Sequence, residues 1–133
     1  MSKNTTWEKV KNYWIKWGKI GDYIEGTLID VREIDSQFPG NEGKRVKIYE
    51  LQADSGTFHE KDGTAVTVEE GIVWTVGGRP GIDQQMRRVK IGTKIKMTFT
   101  EERKAQTKGF NALKIIEVYT GRMDDEYLAD FKQ

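Results

Sequence analysis

Ile95, Met97 and Phe99 alternate with Lys94, Lys96, Thr98 and Thr100, and this period of two requires a half-buried strand. A polar connection follows over 101–109, carrying Arg103, Lys104, Lys108 and a turn-forming Gly109. Phe110 to Thr120 then supplies a second strand, with Ile115, Ile116, Val118 and Tyr119 as its apolar content. Two long strands joined by a basic, glycine-ended loop make a hairpin. One strand sets lysines and threonines opposite its apolar row, so the hairpin both closes a sheet and offers it a cationic edge.

The preceding chain reads as the remainder of that sheet. Apolar residues at 7, 10, 13, 14 and 17 follow helical spacing, with Thr6 as N-cap and Gly18 as stop, so residues 1–20 are expected to form an amphipathic helix or arm. Trp14 or Trp17 beside Lys16 and Lys19 has a second reading, stacking on a nucleic-acid base. Residues 21–35 predict one long strand whose alternation changes phase near Gly26, the mark of a bulge or bend. Pro39, Gly40, Asn41 and Gly43 make a turn, and 44–54 a second strand with Arg45, Lys47 and Tyr49 on one face. Residues 55–63 read as a polar loop that leaves His59 on the solvated surface. A third strand is expected over 64–76, interrupted near Gly71, then a turn at 77–81 and a short helix over 82–89.

The resulting order is a long bent strand, two further strands, a short helix and the final hairpin. That is the layout of a five-stranded OB-fold barrel of Greek-key type, all-β with short helices, with a helix between strands 3 and 4. An SH3-like barrel and a small sandwich share parts of the pattern. The barrel is assigned to 21–120 and an acidic tail to 121–133.

With 133 residues the chain suits one domain, and the absence of cysteine removes disulfides and thiolate metal sites. No apolar run approaches the roughly 20 residues of a membrane helix, so a cytoplasmic location without membrane contact is expected. The formal net charge is only +1, yet the charges are segregated: 21–78 sum to −7 and 79–108 to +6. A nearly neutral chain of this kind can still present one positive face. A single histidine and no cysteine leave no zinc constellation and no catalytic triad. The residues 77–81, Gly-Gly-Arg-Pro-Gly, match neither a phosphate loop nor a dinucleotide loop. The expectation is a protein that is not an enzyme and uses neither metal nor cofactor.

Single-stranded nucleic acid binding needs a cationic groove and flat side chains on which bases stack. The cations available are Arg45 and Lys47 on the second strand, Arg79 by the short helix, Lys94 and Lys96 on the fourth strand, and Arg103, Lys104 and Lys108 in the last loop. The candidate rings are Tyr49, Trp74 and Phe110, although Trp74 shares a strand face with Ile72 and Val76, which favours the core. In an OB barrel the usual ligand surface is the outer face of strands two and three, walled by the loops joining strands one to two and four to five. The basic loop forms one of those walls.

The stretches GDYIEGTLIDVRE at 21–33 and VKIGTKIKMTFTEERKAQTKGFNALKIIEVY at 89–119 resemble the OB-fold single-stranded DNA-binding proteins of bacteriophages and similar mobile elements. The resemblance implies binding of single-stranded DNA with low sequence specificity, in support of DNA replication or recombination, inside the host cell. It also implies a tail that recruits replication or recombination proteins. MDDEYLADFKQ at 123–133 is similar to such a tail, with Asp124, Asp125 and Glu126 as its acids and Phe131 as its aromatic, but it ends in Lys132 and Gln133. The other reading of the tail is a short helix packing Tyr127, Leu128 and Phe131 onto the barrel. Two alternatives for the whole chain stand beside this one: an RNA-binding OB module, and a structural or adaptor protein, with a homo-oligomer compatible with any of them.

Overall fold

The computed structural model describes residues 6–7, 13–35, 44–104 and 113–123. The elements are β1 (Tyr23–Asp35), β2 (Arg45–His59), β3 (Ala65–Thr67), β4 (Val73–Gly77), α1 (Pro80–Met86), β5 (Thr93–Arg103) and β6 (Leu113–Met123). They form one antiparallel sheet in the order β3-β2-β1-β5-β6, with β4 pairing β2 alongside β3. The chain is mostly β with one short helix, as its alternating pattern requires.

β1 is the organising strand. Its first half pairs with β5, Tyr23 opposite Thr98 through Thr27 opposite Lys94, while its whole length pairs with β2. The register with β2 slips between Glu25 and Gly26, at the predicted phase change. A Cβ at Gly26 would sit 2.5 Å from the Gln52 carbonyl oxygen and 3.1 Å from the Ala53 Cα, so the two strands approach too closely for any side chain. Gly26→Ala is therefore expected to cost about 1–3 kcal/mol, as overpacking of a tight backbone contact does. A urea midpoint unchanged from that of the unaltered chain would show that the strands separate freely there.

Three expectations are corrected, and a fourth, the interruption of the third strand near Gly71, is met. Residues 13–17 are not helical: Tyr13 and Ile15 bond the backbone of Thr75, with Ile15 N–H donating to the Thr75 carbonyl at 2.9 Å and Thr75 N–H to the Tyr13 carbonyl at 2.8 Å. Tyr13, Ile15 and Trp17 are themselves a period-two set, and a free sheet edge selects that period over the helical one. Ser55–His59 continues β2 rather than forming a loop, with Gly56 and Phe58 buried between half-buried Ser55, Thr57 and His59. The predicted third strand is broken into β3 and β4 by a turn at Gly71, whose φ of +82° suits glycine. The sheet, finally, is open rather than a closed barrel. Closure would join β4 to β6, but both edges already carry hydrogen bonds. Residues 13–15 occupy the edge of β4, and the Gln85 side chain of α1 occupies that of β6. Gln85 Nε2 donates to the Ile116 carbonyl at 2.7 Å, and Val118 N–H donates to Gln85 Oε1 at 2.9 Å. The carboxamide thus stands where a neighbouring strand's peptide group would.

The core draws on β1, β2, β4, α1, β5 and β6. Ile24, Leu28, Leu51, Val76, Ile82 and Met97 are fully enclosed, with Phe58 and Phe99 the largest of the fully enclosed side chains. α1 closes it by presenting Ile82 and Met86 inward. Ile15 and Trp17 also belong to the core, so at least this part of the N-terminal segment is integral to the sheet.

Candidate nucleic-acid interface

Cross-strand register decides which predicted cations are free. Lys96 lies directly opposite Glu25, and its ammonium is 3.5 Å from that carboxylate. Lys94 reaches Asp54 at 2.8 Å. Arg45 lies opposite Asp35 and is 3.9 Å from its carboxylate and 4.0 Å from that of Glu33. Arg103 bonds Glu101, two residues back, at 3.0 Å. All five pairs are solvent-exposed and contribute little to stability, about 0–1 kcal/mol each. Their importance is electrostatic. Each carboxylate cancels a charge that a phosphate would otherwise meet.

The same register separates these cations along the sheet. Arg45 pairs at the last residue of β1, whereas Arg103 lies on β5 beyond the point where Tyr23 meets Thr98. They therefore extend from opposite ends of the β1 pairing, with Lys94 and Lys96 between them. Lys104 is exposed, and Lys108, Phe110 and the tail residues Asp124, Asp125, Glu126 and Phe131 lie outside the described residues.

Two of the three predicted rings require correction. Tyr49 is 2% exposed and belongs to the core, its hydroxyl donating to Asp83 Oδ1 at 2.6 Å. Burial first, and then Asp83, pushes the phenol pKa above its ordinary range. Trp74 is 5% exposed, with Tyr13 and Phe58 packed edge-on against its ring. Neither offers a face to a base in this conformation. Tyr49 and Leu51 both point into the core, and Asp83 of α1 takes the Tyr49 hydroxyl; strand alternation alone does not reveal which face a later helix will take.

What the fold brings together instead is Lys47 and Arg79. The Gly78 N–H donates to the Lys47 carbonyl at 2.7 Å, which brings the residue before Arg79 to the backbone of the exposed Lys47 where β2 meets the start of α1. Among the described residues neither side chain has a carboxylate within ion-pair distance, although Glu33 lies opposite Lys47 in the register of β1 and β2. Burial lowers the pKa of the Arg79 guanidinium, the sign of a cation partly stripped of water with no counter-charge supplied. Arg87, Arg88 and Lys90, just past α1, are likewise without carboxylate partners among the described residues.

A second grouping was missed by sequence reasoning. Lys96 sits 5.5 Å from the ring centre of Tyr23 on β1 and opposite Tyr119 on β6, which is 52% exposed. Glu25 and Glu117 share that surface, the latter accepting a hydrogen bond from the Tyr119 hydroxyl. The row is visible only once β1, β5 and β6 are in register. His59 is also misplaced by sequence reasoning: its Nδ1 lies 2.6 Å from the buried Asp22 carboxylate instead of in solvent. Among the described residues no cluster of His, Cys, Asp and Glu is arranged to hold a metal ion, and no helix is long and apolar enough to cross a membrane.

The chain matches no family model, and neither a curated protein nor a solved structure shows significant similarity to it.

Proposed function

We propose that this chain is a non-catalytic protein of OB type that binds single-stranded DNA with low sequence preference, in support of replication or recombination. The observation that carries the reading is that Lys47 and Arg79, and Arg87, Arg88 and Lys90 beyond the same short helix, have no carboxylate within ion-pair distance among the described residues. A partly desolvated guanidinium without a carboxylate is stabilised by an incoming anion, and arginine matches phosphate geometry with two parallel hydrogen bonds. The OB assignment is supported by the element order, if β3 and β4 are taken as halves of one broken strand with α1 before the last hairpin. Lys47 then stands on the strand that OB proteins use for ligand contact. The open β4 and β6 edges are this chain's departure from that plan.

Titration with fluorescent oligo-dT, a duplex of equal length and an RNA of equal length tests the reading. Binding should favour the single strand and weaken with salt, by roughly 0.7 log units per log unit for each phosphate neutralised. Lys47→Ala combined with Arg79→Ala should flatten that slope by about 1.4, whereas Lys94→Ala, whose charge is already met by Asp54, should change it little. Equal effects of the two variants would discard Lys47 and Arg79 as the contact. No binding of any oligonucleotide would discard the function.

A further inference from the structure

The strongest site outside that surface is a cleft where the 13–17 segment crosses β2, β3 and β4. It is open to solvent, has a volume of about 260 Å³, and has Tyr13, Trp14, Phe58 and Trp74 among its lining residues. Tyr13 meets Trp74 at 73° and 5.0 Å between ring centres, and Phe58 meets Trp74 at 75° and 5.7 Å. The three rings therefore pack edge-to-face as one contacting cluster. Glu60 and Glu69 also line the cleft, and Lys16 is the one cation among its described lining residues.

These groups select the sign of a ligand. The face of an aromatic ring is its electronegative side, so an accessible ring face attracts a cation seated against it. The carboxylates add to that attraction. Lys16 answers one of them, its Nζ 2.6 Å from Glu60 in an exposed pair. Glu69 has no ion-pair partner among the described residues. The balance is one negative charge in excess, which disfavours a phosphate backbone and separates this cleft from the proposed DNA surface.

We propose that the cleft binds an alkylammonium group, held against the Tyr13 ring with Glu69 as counter-ion. That ring is half-buried and so keeps part of its surface accessible, whereas Phe58 and Trp74 form the buried floor. Lys16 is the internal competitor. It occupies Glu60 with an ammonium of the same kind, and a bound ligand has to share or displace it.

The test titrates the full chain with choline, following tryptophan emission, with 3,3-dimethylbutan-1-ol as the uncharged match of the same shape. N-acetyl-lysine methylamide and its Nε-acetylated form repeat the comparison for a side chain borne by a partner protein. The charged member of a pair should bind at least about fivefold more tightly than its neutral match. Whichever cation binds more tightly assigns the source, a free quaternary ammonium or a lysine side chain. Glu69→Gln should weaken binding severalfold, and Lys16→Ala should strengthen it. Thr67→Trp, at an exposed residue of the lining, should block binding without disturbing the core. Equal affinity for charged and neutral ligands, no binding of either cation, or full affinity in Glu69→Gln would each overturn the assignment. The readout does not depend on DNA, so failure here leaves the proposed function standing, and the reverse also holds.

Discussion

Asp22→Ala is expected to lower the free energy of unfolding by about 3–5 kcal/mol, because several donors lose one buried acceptor at once. Asp22 is 2% exposed and precedes β1 by a single residue. Its Oδ2 accepts the backbone N–H groups of Gly18 and His59 at 3.0 Å and of Lys19 at 2.9 Å, while Oδ1 meets His59 Nδ1 at 2.6 Å. One side chain thereby joins the N-terminal turn to the end of β2. Alanine leaves three main-chain donors and a ring nitrogen with no acceptor inside the fold, and a buried donor without a partner costs about 1–3 kcal/mol. Asp22→Asn retains one carbonyl oxygen for the backbone donors and should lose markedly less. Urea unfolding followed by tryptophan emission measures both variants. Equal midpoints for Asp22→Ala and the unaltered chain would mean that the turn and β2 are held together by packing alone.

That carboxylate also marks how far the fold could be read from residue order. The last hairpin, the long first strand and its slip at Gly26 were legible because each rests on a period of two that local chemistry sets. The N-terminal segment was not. Residues 7, 10, 13, 14 and 17 satisfy a helix, while 13, 15 and 17 satisfy a strand, and only the free edge of β4 decides between them. Polar Ser55, Thr57 and His59 look like loop because their partners, β1, β3 and Asp22, are distant in sequence.

The candidate site was legible as a stock of cations and rings but not as a surface. Charge along the chain does not reveal that Glu25 faces Lys96 or that Asp35 faces Arg45, since those pairings arise from register. Nor does it reveal that the chain just before Arg79 returns to the Lys47 backbone through a hydrogen bond from Gly78. Barrel closure failed as an expectation for a related reason. The competitors for the two edges were a segment read as helix and the side chain of one glutamine, neither of which carries a strand signal.

Above about pH 10, the stability of this protein is expected to fall by up to roughly 1.4 kcal/mol per pH unit through Tyr49 alone. The Tyr49 ring is in the core, and its hydroxyl donates to Asp83 Oδ1 at 2.6 Å. Ionisation would set a buried phenolate against a carboxylate, so burial and then Asp83 raise the folded-state pKa well above the value near 10 of an unfolded tyrosine. The folded chain consequently holds a proton that the unfolded chain releases. The stabilisation is complete below the unfolded pKa and is lost as pH rises from there toward the folded one. Tyr49→Phe removes the titrating group and leaves Asp83 without the hydroxyl, which should cost about 1 kcal/mol at neutral pH. The gap between variant and unaltered chain should then narrow above pH 10 and reverse by about pH 12. Urea midpoints at pH 8, 10, 11 and 12 for both proteins decide the matter, and parallel alkaline limbs would assign the loss to other groups. Because Asp83 lies on α1 and Tyr49 on β2, the titration reports whether the helix that carries Gln85 to the β6 edge stays docked on the sheet.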